Sequence, residues 1–101
     1  MDIEKFELND KENWCLMHLL DSLINGPNGK CEPFPNAKES VKYEIGMQGL
    51  EKILNIMRDN NFMDEHNSIS YGLQGYGEGF LQVTKTKIGE QFFNKNIEKY
   101  N

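Results

Sequence analysis

MQGLEKILNIMRDN, residues 47–60, is the stretch that decides the predicted fold. Apolar residues recur in it every three or four positions, which is the spacing of one face of an α-helix. That face consists of Leu50, Ile53, Leu54 and Met57. Charged and amide side chains occupy the opposite face. The segment therefore predicts an amphipathic helix that packs on a core through one side.

A second helix is predicted upstream, in DKENWCLMHLLDSLI, residues 10–24. Asn9 or Asp10 can cap its first turn, and Gly26-Pro27 ends it. Its apolar stripe consists of Leu16, Leu19, Leu20, Leu23 and Ile24. This stripe predicts a second helix that packs on the same core.

The connection between these helices is predicted to contain a third, shorter one. NGPNGKCEPFPN, residues 25–36, holds all three prolines and indicates an extended segment with a turn at Asn28-Gly29. Residues 37–44 fit two structures. Val41, Tyr43 and Ile45 alternate as in a strand, whereas the composition of residues 37–40 favours a helix. We expect the short helix.

A β-hairpin and a last helix are predicted downstream. After Phe62-Met63 and a polar turn, residues 69–71 and 80–84 are β-prone runs on either side of a glycine-rich loop, residues 72–79. Thr86 can then cap a closing helix. The apolar residues of that helix are Ile88, Phe92, Phe93 and Ile97.

Composition indicates a single small domain, residues 1–101, with a formal net charge of −5. No apolar run approaches the roughly 20 residues that span a bilayer, and no secretion signal is recognisable at the start. We therefore expect a cytoplasmic protein that does not enter a membrane. In that compartment Cys15 and Cys31 are expected to be reduced.

Two phrases in the sequence resemble those of winged helix-turn-helix domains. The first is GLEKILNIMRDNNFM, residues 49–63, and the second is VTKTKIGEQFF, residues 83–93, which contains Thr86, Gly89 and Phe93 at the spacing of that family. In these phrases the chain resembles the small YjcQ-like winged-helix proteins of low-GC bacteria and their phages. This resemblance implies an α+β fold of three helices, a short β-hairpin wing and a C-terminal helix.

The same resemblance implies DNA binding. The helix at residues 47–60 would contact the bases, and the hairpin would contact the sugar-phosphate backbone of the DNA. A DNA-binding transcriptional regulator is therefore one of two functional hypotheses. Its nucleic-acid contacts would come from Gln48, Lys52, Asn55, Arg58, Lys85 and Lys87. Glu51 would lie on the same helix face.

The charge distribution favours the other hypothesis. Residues 1–24 carry six acids against two lysines, and residues 62–83 carry three acids and no Lys or Arg. DNA-binding proteins usually present a basic face to the phosphates. We therefore expect a small phage or bacterial adaptor or inhibitor that docks on another protein, such as a nucleic-acid-handling or defence protein. Its partner-binding residues would be Asp64, Glu65, Tyr71, Tyr76 and Glu78.

A further contact surface is predicted on the first helix. Trp14, Met17 and His18 lie off its best apolar stripe. Residues of this kind either complete the core or form a dimer or partner surface, since winged-helix proteins commonly associate through their outer helices. Both interpretations remain open for these three residues.

No catalytic centre, metal site or cofactor site is predicted. The glycines of residues 72–79 are followed by a β-prone run, whereas a phosphate-binding loop needs a helix N-terminus there. Cys15, His18, Cys31 and His66 have the chemistry of zinc ligands but lack a closely spaced second pair. We expect a protein that is not an enzyme, with no metal and no cofactor.

Overall fold

The computed structural model describes residues 1–71 and 77–100, and for residues 67–71 and 77–81 it describes the backbone alone. The fold is α+β, with three α-helices and a two-stranded antiparallel sheet. In chain order its elements are a 3-10 turn at Ile3–Phe6, α1 (Asp10–Asn25), α2 (Phe34–Asp59), β1 (Met63–Tyr71), β2 (Gly77–Lys85), α3 (Lys87–Asn96) and a 3-10 turn at Ile97–Lys99.

Helix α1 begins at the predicted cap. The side chain of Asn9 accepts a hydrogen bond from the Glu12 backbone N–H at 2.8 Å, and the Glu12 carboxylate accepts one from the Asn9 N–H at 3.1 Å. This reciprocal capping box satisfies two backbone donors that a helix start leaves without partners. The local sequence alone therefore fixes where α1 starts.

Helix α2 starts earlier than predicted. We expected residues 25–36 to be an extended connection, but the helix begins at Phe34, with Pro33 as its N-cap and Pro35 in its first turn. Proline is tolerated there because first-turn N–H groups have no partner within the helix. The expected helix over residues 37–44 is confirmed, because Phe34, Ala37 and Val41 bury one helical face.

Gly46 interrupts α2. Its φ of 78° and ψ of 174° lie outside the helical region and divide the element into segments 34–45 and 47–59. A positive φ of this size favours glycine, because other residues place a Cβ against the backbone there. The kink separates the two helices that were predicted as independent segments.

The hairpin is longer than predicted. Strands β1 and β2 pair from Met63 opposite Lys85 to Tyr71 opposite Gly77. The polar turn expected directly after Met63 is wrong, because residues 64–68 continue β1. An antiparallel ladder satisfies backbone groups whatever the side-chain polarity, so a polar run can extend a strand. Of the predicted loop at residues 72–79, residues 77–79 belong instead to β2, and residues 72–76 lie outside the described residues.

The core lies between the helices and the base of the hairpin. Helix α1 packs against α2 on one side and against α3 on the other. Rings from three parts of the chain meet there: Phe62 stacks on Phe92 at 4.4 Å between centroids, and Phe6 lies within 6.1 Å of both. The N-terminal 3-10 turn therefore contributes to the same core as the helices.

A buried amide attaches the N-terminal residues to α3. Asn96 is fully buried, and its side-chain oxygen accepts a hydrogen bond from the Ile3 N–H at 3.1 Å. Its side-chain nitrogen donates to the carbonyl groups of Met1 at 3.2 Å and Phe92 at 2.8 Å. With both ends of the amide engaged, Asn96 incurs little of the free-energy cost of burying a polar group.

Thr86 and Gly89 position α3. The Thr86 hydroxyl accepts from the Gly89 N–H at 2.9 Å and donates to the Asn61 carbonyl at 2.6 Å. The predicted cap is confirmed, and it also joins α3 to the end of α2. Ile88 was expected on the apolar face of this helix but is 50% exposed, because Phe92 and Phe93 occupy the buried side.

Among the described residues, no helix combines the length and apolar character that a bilayer crossing requires.

Candidate protein-binding surface

Trp14 is the most unusual side chain on the outer surface of α1. It is 44% exposed, although tryptophan is strongly buried on average. The His18 ring, one helical turn further on, stacks on the indole with 4.7 Å between centroids and 13° between planes. Trp14 is therefore held flat against a neighbour while part of its surface meets solvent.

An acid on another segment holds His18 in turn. His18 Nε2 lies 2.5 Å from Glu32 Oε1, and because an ionised carboxylate can only accept, this nitrogen carries the proton. The Ser40 hydroxyl donates to the same oxygen at 2.9 Å. The hydrogen bond from His18, and then that from Ser40, lowers the pKa of Glu32. The carboxylate thus links α1, the connection and α2 behind the exposed tryptophan.

A groove of about 480 Å³ opens beside Trp14. We call it the Trp14 groove; it is lined by Trp14, Glu39, Ser40, Tyr43 and Glu44. Tyr43 is 89% exposed, so this face of α1 and α2 presents two large aromatic side chains to solvent. Two carboxylates lie beside them. The groove combines aromatic surface with negative charge.

Of the three residues predicted as a surface on α1, Trp14 is exposed and His18 is half-buried. For Met17 the core interpretation holds, since this side chain is only 3% exposed. Ile97 and Tyr100, from the C-terminal 3-10 turn and the residue after it, lie around the same small cavity as Met17. The buried face of α1 is therefore wider than its leucine stripe indicates.

Segment 47–59 exposes all four of its own side chains that were predicted to contact DNA. The two cations among them are already paired with carboxylates of the same protein. Lys52 Nζ donates to Glu12 Oε2 at 2.8 Å, and this hydrogen bond is the main cause that lowers the pKa of Glu12. Arg58 Nε donates to Glu65 Oε1 at 2.6 Å, which raises the pKa of Arg58. The four exposed residues are Gln48, Lys52, Asn55 and Arg58.

The remaining cations of the DNA hypothesis lie at the end of the hairpin and the start of α3. Lys85 Nζ lies 3.0 Å from Glu90 Oε2, whereas Lys87 is exposed and has no ion pair among the described residues. Three of the four predicted basic contacts are therefore already paired with carboxylates.

The predicted partner-binding residues of the hairpin are only partly described. Asp64 is exposed, and Glu65 is half-buried beside Arg58. Tyr76 lies outside the described residues. Tyr71 and Glu78 lie on β1 and β2, but their side chains are also outside the described part of the chain. The structure does not bring Asp64 and Glu65 to the Trp14 groove.

The predicted zinc-type residues are dispersed. His18 pairs with Glu32, and His66 Nε2 lies 3.2 Å from Gln82 Oε1. Cys15 and Cys31 are free thiols. In the part of the chain that is described, no group of three or more His, Cys, Asp or Glu is placed to hold a metal ion.

The two thiols are expected to differ in reactivity. Burial raises the pKa of Cys15 to about 11, so at pH 8 only about one molecule in a thousand carries the thiolate there. Burial, and then Asp21, also raise the pKa of Cys31, but this thiol is only half-buried, whereas Cys15 is fully buried. We expect one thiol per chain to react with Ellman's reagent in the native protein, and Cys31→Ser to remove that reaction. A native Cys31→Ser protein that still reacts quickly would contradict this.

Five residues of this surface were not predicted as site residues: Glu32, Glu39, Ser40, Tyr43 and Glu44. A helix assigned from residue 34 onward would have placed Tyr43 opposite the buried face of Ala37 and Val41, so a signal for its exposure was present. No comparable signal joins Glu32 to His18, because that contact depends on how the segments pack.

Comparison of the chain with protein-family models, curated proteins and solved structures found no match.

Proposed function

We propose that this protein is a non-enzymatic adaptor or inhibitor of the winged-helix type, of phage or bacterial origin, that docks on another protein. Two helical segments joined at Gly46, a hairpin and a closing helix are compatible with such a layout. The roles of Thr86 and Gly89 at the start of α3 fit the phrase that resembles this family. The proposed docking surface is the face around Trp14.

The observation that carries this proposal is an exposed tryptophan, Trp14, whose ring is held in place by its neighbours His18 and Glu32. Tryptophan and tyrosine are enriched among the few residues that supply most of the binding energy at protein interfaces. Stacking on His18, which Glu32 holds, fixes the Trp14 indole before any partner arrives. A side chain that is already ordered loses less conformational entropy on binding.

The charge of the protein supports a basic partner. With 16 acidic and 11 basic side chains, the chain is expected to associate faster with a positively charged surface than with a neutral one. Nucleic-acid-handling and defence proteins carry such surfaces where they bind phosphates. A small acidic domain could occupy that surface and exclude the nucleic acid.

DNA binding is the second candidate, and the four exposed residues of segment 47–59 favour it. For DNA binding, Lys52 and Arg58 must first break their ion pairs with Glu12 and Glu65, which costs free energy. The carboxylates left behind would then lie beside the DNA and repel it. A regulator built on this helix would therefore bind more weakly than the number of its cations implies.

Loss of docking in Trp14→Ala is the expected test result. Wild type and variant, tagged and immobilised, are used to capture partners from extracts of the source cells, and the affinity for the captured protein is then measured. Removing an interface tryptophan costs about 2 kcal/mol or more, so affinity should fall at least about 30-fold. Ile88→Ala, which removes an equally exposed apolar side chain from α3, should keep the wild-type affinity. Unchanged affinity in Trp14→Ala would refute the proposed surface.

A salt titration separates the two candidates. Binding of random duplex DNA at about 50 mM salt that weakens steeply as salt rises would favour the DNA regulator. Under that hypothesis the double variant Lys52→Ala/Arg58→Ala should lose binding. Under the adaptor hypothesis no duplex binds, and this double variant still docks on its protein partner.

A further inference from the structure

We propose that the Trp14 groove binds an arginine side chain from a basic segment of the partner protein. The inference rests on the proposed docking function and specifies its chemistry. Two aromatic side chains, Trp14 and Tyr43, line the groove together with two carboxylates, Glu39 and Glu44. A planar cation can satisfy both kinds of group at once.

Arginine fits this lining better than lysine. Its guanidinium group stacks on aromatic faces, is weakly hydrated and presents N–H groups in a planar fork that matches a carboxylate. His18 stacks on the Trp14 indole, and Trp14 also lines the groove. A guanidinium placed there could stack on the indole and donate to an acid at the groove edge. A lysine ammonium offers no comparable plane.

The two carboxylates are available to such a cation. Glu39 has no ion-pair partner among the described residues, and the neighbouring Lys38 instead lies over the Phe34 ring, 5.4 Å from its centroid. Glu44 lies 3.6 Å from Lys11, with both side chains exposed. Exposed ion pairs of this kind are weak, so an arriving guanidinium can displace Lys11 at little cost.

Other occupants fit the groove less well. A phosphate or a carboxylate would be repelled by Glu39 and Glu44. A purely apolar segment would remove these carboxylates from water without giving them a partner, which is unfavourable. Charge complementarity therefore selects a cationic occupant, and the aromatic walls select one that is also planar.

The test uses tryptophan fluorescence, because Trp14 is the single tryptophan of the chain. The full-length protein is titrated with a short capped peptide rich in arginine and with two matched peptides that carry lysine or citrulline instead. Citrulline has nearly the shape of arginine but no charge. We expect a saturable change in Trp14 emission with the arginine peptide. The lysine peptide should bind more weakly, and the citrulline peptide should not bind.

Two variants of equal net charge identify the groove as the binding site. Glu39→Gln/Glu44→Gln should weaken binding of the arginine peptide about tenfold, the loss expected when charge-assisted hydrogen bonds to a cation are removed. Asp59→Asn/Glu98→Gln removes two exposed acids outside the groove lining and should leave affinity within about twofold of wild type. Circular dichroism confirms that both variants are folded.

Each outcome has a defined meaning. Equal binding of the citrulline peptide, an equal loss in both double variants or no binding of the arginine peptide would overturn the arginine proposal. None of these results would refute docking itself, which is tested separately by the affinity of Trp14→Ala for the captured partner.

Discussion

Phe62→Ala is expected to lower the free energy of unfolding by about 4 kcal/mol. Phe62 is 1% exposed and is the largest fully buried side chain among those that the structure describes. Its ring stacks on Phe92 and meets Phe6 edge-on at 85°. Truncation removes these contacts and leaves a cavity beside Phe6 and Phe92. A domain of this size has a total stability of about 5–15 kcal/mol, so the loss is a large fraction of it.

The measurement is urea unfolding followed by circular dichroism. If Phe62→Ala is too unstable to give a folded baseline, Phe62→Leu keeps the prediction testable, because it retains most of the volume and should cost about 1–2 kcal/mol. A loss below about 1 kcal/mol in Phe62→Ala would show that the ring cluster is not the centre of the core.

Gly89→Ala is expected to destabilise the protein by about 3 kcal/mol, against its helix propensity. Alanine is normally more stable than glycine within a helix by about 1 kcal/mol, so propensity alone predicts a gain. A Cβ at this position would lie closer to the Phe62 carbonyl oxygen than the 3.0 Å that real Cβ atoms respect. Because that neighbour is backbone, α3 or the start of β1 would have to move.

Asn94→Ala is the matched control for this substitution. It places alanine at an exposed position of the same helix and should change stability by less than about 0.5 kcal/mol. If Gly89→Ala proves as stable as wild type or more stable, the close approach of α3 to Phe62 is wrong.

Local sequence determined the helices and the starts of α1 and α3. Asn9 with Glu12 caps α1, Thr86 caps α3, and apolar spacing identified the buried face of segment 47–59. These features depend on residues three or four positions apart, so they can be read from the chain directly. Residues 64–68 were not predicted to form a strand. Their strand structure depends on pairing with a distant segment of the chain, which a polar local sequence does not indicate.

The candidate binding surface was predicted only in part, for the same physical reason. Trp14 and His18 lie off the stripe of α1 and could be identified from spacing. Glu32, which pairs with His18, and Tyr43, which lines the groove with Trp14, come from other segments of the chain. Spacing left Met17 open between core and surface, because nothing in its neighbourhood indicates that Ile97 and Tyr100 come to lie beside it.

The sequence by itself determined an acidic α+β chain with predictable helices, and tertiary structure decided which of its charges remain available. Lys52 and Arg58 lie on the exposed face of segment 47–59, as their spacing predicts. Only the packing of α1 and β1 against this segment brings Glu12 and Glu65 to them. Helical periodicity acts within a few residues, whereas ion pairs and grooves depend on how whole elements meet.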